Sequence, residues 1–279
     1  MRVLAYYGPK DIRDEEWPRP KKLPEGRVRV AVRAVTLGGK SRFAYLENSM
    51  AVPCAIGETA AGIIEESAAE GFVPGQPMIL WNDDPEKAGL AAESLVWPAE
   101  RVFAPSVAAS YGEMALLPLW AEVLGALEEI GEGRSAVVLG TGPQAEIARI
   151  LVPLSGCAPA EEGREADAAV CCEADDNVLE KAALRVKKGG TVRILSLRPG
   201  SRPRLSPLAL RKGFCFNFGT VCQKEALAKI FDLTGKGGLS LVCENKLFSW
   251  DEAEKAMAEL EKGSLVTLRQ DSFDEPYFP

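Results

Sequence analysis

The sequence predicts an α/β protein in two parts, a strand-rich region followed by a parallel sheet covered by helices, with a tail that returns to mixed structure. Three observations predict it. Up to about Gly112, short alternating segments are punctuated by Pro and Gly, as strands joined by turns would be. From Glu113 onward, apolar helical stretches and β-branched runs take turns, which implies strand–helix units and a parallel sheet. After about residue 240 a strand, a helix and a last strand recur.

In order, RVLAYYG is short and β-prone, and EGRVRVAVRAV (25–35) alternates Val with Arg at a period of two. TAAGIIEES, QPMIL and ESLVWPAERVFAP continue the strands. EMALLPLWAEVLGALEEIGEG (113–133) reads as an apolar helix closed by Gly131, SAVVLGTG (135–142) as a buried strand, and PQAEIARILVPLSG (143–156) as a helix. ADAAVCCEA (166–174) is a strand, and DDNVLEKAALRVKKGG (175–190) a helix with Asp at its start, two Lys in its last turn and Gly after it. TVRILSL (191–197) and GFCFNFGTV (213–221) are strands and KEALAKIFDLTGKG (224–237) a helix. LVCENKLF (241–248) is a strand, Ser249 and Glu252 form an S-x-x-E capping box, and SLVTLRQ (264–270) is the last strand. Trp250 and Met257 lie at helical spacing and read as a core face, and DSFDEPYFP as a loosely held terminus.

Composition limits the chemistry. Of 279 residues, 47% are hydrophobic and 26% charged, the profile of an ordinary globular chain. No stretch approaches the roughly 18 apolar residues that span a membrane, and the opening charges precede any apolar run of signal-peptide length. Net charge is −7 with basic and acidic residues interspersed, which argues against nucleic acid or an anionic membrane as partner. Seven cysteines, an odd number without a C-x-x-C pair, argue for reduced thiols in a cytoplasm. There is no histidine. Ser-His and Cys-His nucleophilic sites therefore drop out, and so does the usual zinc catalysis. Acid–base work falls to Lys, Tyr, Asp, Glu, Cys or a bound substrate group.

The sharpest motif is VVLGTGPQAEIA, which places Gly140, Gly142 and Ala145 in a G-x-G-x-x-A pattern between a strand and a helix. The first glycine permits a tight turn and the second lets a pyrophosphate approach backbone N–H groups at a helix N-terminus. The third position must be small for helix and strand to pack. Gly140, Thr141, Gly142, Pro143 and Gln144 are the candidate cofactor-binding residues. The plainer reading is a strand-to-helix turn and nothing more.

From Met1 to about Gln270 the chain resembles, in order, the medium-chain dehydrogenase/reductase family, the zinc alcohol dehydrogenase and quinone oxidoreductase group. The resemblance is carried by MRVLAYYGPKDIRDEEWPRP, AVTLGGKSRF, IGETAAGIIEE, FVPGQPMI, ESLVWPAERVFAP, VVLGTGPQAE, ADAAVCCEA, VKKGGTVRILSL and LFSWDEAEKAMAELEKG. It implies a GroES-like domain over 1–112, completed by 240–279, around a Rossmann-type domain over 113–239. It also implies NAD or NADP as cofactor, a small-molecule substrate, and a homodimer formed through PRLSPLALRKGFCFNFG (203–219).

Three departures stand against the family pattern. Gly38 falls at a metal-ligand cysteine position, Glu58 at the histidine ligand and Lys40 at the hydroxyl relay, so no zinc is expected. MILWNDDPEKAGLAAESLV passes through the place of the structural-zinc lobe without a cysteine. Only GCAPAEEGRE (156–165) stands where the family has a second strand, a helix, a third strand and a further helix, so no residue can be assigned to read the adenosine ribose. Asp167 comes too late and starts the next strand.

Lys40 and Glu58 are the candidate catalytic residues, as a charge pair in place of the metal or with Lys40 protonating a carbonyl oxygen; the plainer reading is a solvated or ion-paired lysine. Cys54, Cys171 and Cys172 read as buried core before they read as reactive thiols, and no spacing singles out an acid among Tyr6, Tyr7, Tyr45 and Tyr111. The leading expectation is a zinc-independent, NAD(P)-dependent oxidoreductase acting on a small carbonyl or enone. Two others stay open: a catalytically degraded relative serving as a binding or scaffold subunit, and a binder of a smaller phosphate-bearing ligand.

Overall fold

The computed structural model describes residues 1–47, 51–82, 89–105, 109–202, 204–218, 222–235, 239 and 244–270. The expected strand start at 241–243, with Cys243, and the terminus 271–279 lie outside the described residues. The chain divides into two compact units, Met1–Pro118 with the chain from Leu227 onward, and Leu119–Ala226.

The first unit is built on antiparallel strands. They are β1 (Arg2–Gly8), β2 (Asp11–Glu16), β3 (Arg27–Leu37), β4 (Cys54–Ala55), β5 (Thr59–Ser67), β6 (Pro77–Trp81), β7 (Ser94–Pro98) and β8 (Val102–Phe103), with helix α1 (Gly39–Glu47) between β3 and β4. Helix α2 (Tyr111–Glu128) follows, and the division into units falls inside it. Strand β3 pairs with β5 on one side and with β7 and the last strand, β15 (Leu265–Arg269), on the other, and all its residues but Arg27 and Arg33 are buried. The alternation fails to mark β2, because DIRDEE is charged on both faces; register with β1 and the bidentate Arg2–Asp14 pair hold it instead. Helix α1 also carries no apolar periodicity and went unmarked in the sequence.

The second unit holds β9 (Ser135–Gly140), α3 (Pro143–Leu151), β10 (Ala158–Pro159), β11 (Ala166–Cys172), α4 (Asp176–Arg185), β12 (Val186–Ile194), α5 (Pro207–Leu210) and β13 (Cys215–Phe218). Its sheet is parallel throughout, in the order β10-β9-β11-β12-β13. Val170, Cys171 and Cys172 are wholly buried, with α3 and α4 both packed against β11, so adjacent residues pointing opposite ways both reach core. One expectation is corrected here. Helix α4 ends at Arg185, and the two lysines placed in its last turn lie in β12. Val186 pairs with Ala166, and Lys187 reaches Asp167, which draws the segment into the sheet.

Helix α6 (Lys224–Gly235) carries the second division between the units. Strand β14 (Asn245–Ser249), helix α7 (Ala253–Glu261) and β15 (Leu265–Arg269) then complete the first unit, with β15 antiparallel to β3. Both halves of the Ser249–Glu252 capping box form ahead of α7, and Trp250, Met257 and Leu260 are buried in the same core as Val30, Val35 and Ile64. Each such side chain contributes about 1.5–3 kcal/mol on full burial. Among the described residues no helix is long and apolar enough to cross a membrane.

Candidate functional site

The pairing of Thr36 with Thr59 in β3 and β5 brings Glu58 across from the start of α1. Its Oε1 accepts hydrogen bonds from the N–H of Gly38 at 3.0 Å and of Ser41 at 2.5 Å. A carboxylate here caps orphan donors of the first turn and meets the positive end of the helix dipole. Gly38 is coupled to it sterically: a Cβ there would lie 3.2 Å from Glu58 Oε2 and 3.3 Å from Leu265 Cδ1. The carboxylate thus fills the room a ligand side chain at position 38 would need. Lys40, half-buried, is the second residue of α1, so both candidate catalytic residues stand at the same helical turn. This donor set does not fit a metal ion, since Gly38 offers no ligand and Glu58 is held by two N–H groups. Among the described residues no group of three His, Cys, Asp or Glu could hold one.

The glycine motif forms the turn from β9 to α3. Gly140 has φ +98° and Gly142, the N-cap of α3, has φ +85°, both in the region that favours glycine. A Cβ on Gly140 would lie 1.8 Å from the carbonyl oxygen of Cys172, so close packing of β9 on β11 alone requires that glycine. Gly142 faces more room, its nearest neighbour to a Cβ being Glu173 Cγ at 3.5 Å. The N-cap of α3 is Gly142, which brings no capping side chain of its own. Pro143 brings no N–H, and Ala145 and Glu146 give theirs to the Gly142 carbonyl at 3.0 and 3.2 Å. Thr141, Gly142 and Gln144 are therefore the donors on which a phosphate could draw. Ala145, the third small position, is fully buried.

Two charged residues that sequence reasoning missed stand at this turn. Arg149, farther along α3, folds back so that Nη2 donates to the Gly140 carbonyl at 2.9 Å. Side chains on a helix lean toward its N-terminus, and Arg is long enough to use that lean. Glu173 follows β11 with φ +48°, its N–H bonded to Ser196 Oγ at 2.9 Å, and its side chain packs beside Gly142. Arg149 attracts a phosphate at the turn and Glu173 opposes it. A charged residue placed one helical face behind a glycine motif is the signal that could have found the first; nothing local marks the second.

Strand β10 would flank the adenosine side, and it pairs only with Ser135 and Ala136 at the far end of β9 from Gly140. Asp167 is likewise at that far end. Its carboxylate accepts from the Ser135 N–H at 2.9 Å, from Ser135 Oγ at 2.7 Å and from Lys187 Nζ at 2.8 Å. The Lys187 ammonium and then the Ser135 donors hold it well below the usual carboxylate range. The residues present thus fit the phosphate portion of a dinucleotide, while among the described residues β10 ends at Pro159, short of Gly140.

Cys54, Cys171 and Cys172 are not poised for chemistry. Burial pushes Cys54 up to about 11 and Cys171 up to about 12, and raises Cys172 further. Among the described residues no cysteine forms a disulfide. Tyr6 donates its hydroxyl to the Ala44 carbonyl at 2.7 Å and Tyr7 to Glu15 at 2.9 Å, and both phenols are raised, Tyr6 first by burial and Tyr7 first by that carboxylate. At the other sheet edge Phe218 of β13 is exposed, and so are Leu208 and Leu210 of α5.

No protein-family model and no curated protein matches the chain. Solved structures do. A putative alcohol dehydrogenase from Sinorhizobium meliloti 1021 is 18% identical, with TM-score 0.77 over 96% of this chain and 98% of that one. Alcohol dehydrogenase TADH from Thermus sp. ATN1 is 15% identical, with TM-score 0.77 over 97% and 100%. Acetophenone reductase from Geotrichum candidum NBRC 4597, in complex with NAD, is 13% identical, with TM-score 0.82 over 98% of each chain. At these identities the likeness establishes the fold: the chain is built as the medium-chain, zinc-type alcohol dehydrogenases are, from a GroES-like unit and a shortened Rossmann-type unit.

Proposed function

We propose that the chain is a metal-independent oxidoreductase that uses NAD or NADP on a small carbonyl or enone. The observation that carries this reading is the N-terminus of α3, whose N-cap is Gly142, reached through two glycines of positive φ. In this reading the N–H groups of Thr141, Gly142 and Gln144 hold the pyrophosphate and the Arg149 guanidinium adds charge behind them. When bound, the cofactor supplies the hydride. Lys40 gives the proton to the substrate oxygen, and Glu58 is a positioning residue that fixes the turn carrying Lys40. The fold shared with alcohol dehydrogenases and an NAD-bound reductase supports the reading without assigning a substrate.

A second reading has its own observation. Glu58 and Gly38 have turned a ligand position into a helix cap, as expected of a relative that has left catalysis for a binding or scaffold role. In either reading two copies pair through the β13 edge, where Phe218 is exposed, with Leu208 and Leu210 of the preceding α5 exposed as well. The test is a titration with NADH and NADPH followed by tryptophan quenching and calorimetry. Saturation at micromolar cofactor is expected; no binding at millimolar cofactor leaves the scaffold reading. Where turnover is found, Lys40→Met lowers kcat, and unchanged turnover removes Lys40 from the mechanism.

A further inference from the structure

In a parallel sheet, ligands sit beyond the carboxyl ends of the strands, and the adenosine ribose is read by a residue at the end of the strand beside the glycine-turn strand. Here that strand is β10. It stops at Pro159 beside Ala136, four residues short of Gly140, or about 13 Å at the usual rise of a strand. The Ala160 N–H still bonds the Ala136 carbonyl at 2.9 Å, and a turn closed by Arg164 N–H on the Glu161 carbonyl at 3.2 Å then leads into β11. That turn lies at the same end of the sheet as Ser135 and Asp167, so Glu161 and Glu162 are at the wrong end to meet a ribose. Residues of β9 alternate in the edge they face. Arg134 and Ala136 bond toward β10, so Gly140 faces the same way, and its carbonyl is met by Arg149 rather than by a strand. Val137, Val138 and Leu139 are correspondingly half-exposed, although they belong to the strand that opens the motif.

We infer that this site, granted the cofactor reading above on which the inference rests, holds only the nicotinamide mononucleotide half of NAD(P) and is indifferent to the adenosine half. The 2′-hydroxyl of NADH and the 2′-phosphate of NADPH meet no partner that tells them apart. The adenosine adds no enclosed surface.

The experiment is calorimetric titration of the full chain with NADH, NADPH and reduced nicotinamide mononucleotide, with tryptophan quenching as a second readout. The expected result is that NADH and NADPH bind within about 3-fold of each other and the mononucleotide within about 10-fold of both, because a charged ribose hydrogen bond, alone worth roughly 10- to 100-fold, is missing. A preference above about 30-fold for either dinucleotide overturns the inference while leaving the cofactor reading intact. So does micromolar dinucleotide binding with no response to millimolar mononucleotide. If NADPH is preferred and Arg149→Ala erases the preference, Arg149 reads the 2′-phosphate and the inference is wrong for that reason. If none of the three binds, the cofactor reading itself falls and the inference falls with it.

Discussion

Helices α1 and α3 both begin where a strand ends, and both present backbone donors and a positive dipole end. In α1 the chain supplies its own anion: Glu58 takes the N–H of Gly38 and Ser41. In α3 the N-cap is Gly142, which brings no carboxylate of its own. The same physics therefore yields a closed structural joint in one unit and a receptive turn in the other. The side chains around each decide which. Gly38 is small so that a carboxylate fits inside the fold, and Gly142 is small with only Glu173 near the space its Cβ would take.

The largest effect should come from Gly140→Ala. Its Cβ would lie 1.8 Å from a backbone oxygen of the neighbouring strand, at φ +98°. Neither atom belongs to a side chain that can swing away. A loss of about 3–5 kcal/mol is expected, read as a shifted urea midpoint. Gly142→Ala, with an ordinary 3.5 Å neighbour, should lose only about 1–2 kcal/mol, from its positive φ alone. Equal losses would show that the two glycines do one job, and the contrast between packing and ligand approach would collapse.

Next is the closed joint. Glu58→Ala removes an acceptor from two buried N–H groups and should cost about 2 kcal/mol in chemical denaturation. Gly38→Ala alone crowds the carboxylate and should cost about 1 kcal/mol. The double variant should be more stable than the sum of the two losses, because truncating Glu58 makes room for the new methyl. Strict additivity would mean that the two positions do not share that space.

Part of this comparison was legible beforehand. The G-x-G-x-x-A turn is contiguous, so its strand, its glycines and its helix announce one another, and the run TAAGIIEES coincides with β5, Thr59–Ser67. The α1 joint joins residues brought together only by β3–β5 pairing, and no local pattern says that a Glu will meet a helix that itself lacks periodicity. Arg149 and Glu173 escaped for the same reason: one depends on how a side chain folds back, the other on where β11 ends. The shortness of β10 was legible as missing length, but its position at the far end of β9 was not, and the adenosine inference rests on that position.

A smaller effect separates the two ends of the second unit's sheet. The Asp167 carboxyl is held low by Lys187 and Ser135, so its folded value lies below its unfolded value of about 3.9. A lowered carboxylate contributes stability that is present above the unfolded value and is lost as pH falls through the folded one. The melting temperature should therefore decline as pH drops below about 4, and Asp167→Asn should flatten that decline while lowering stability at neutral pH. An unchanged acid limb in Asp167→Asn would locate the acid sensitivity elsewhere. Lys187 is half-exposed, so solvent screening keeps the effect modest.

The smallest effect tests how complete the α1 joint is. Ser41 gives its N–H to Glu58, yet its own hydroxyl is buried without a hydrogen-bond partner. A buried hydroxyl in that state costs free energy, and replacing it by hydrogen keeps the backbone donor that the cap uses. Ser41→Ala should thus leave stability within about 0.5 kcal/mol of the parent or raise it slightly, as measured by urea titration. A loss above about 1 kcal/mol would mean that the hydroxyl has a partner in solution. The joint would then be a wider polar network, no longer a single carboxylate closing a helix.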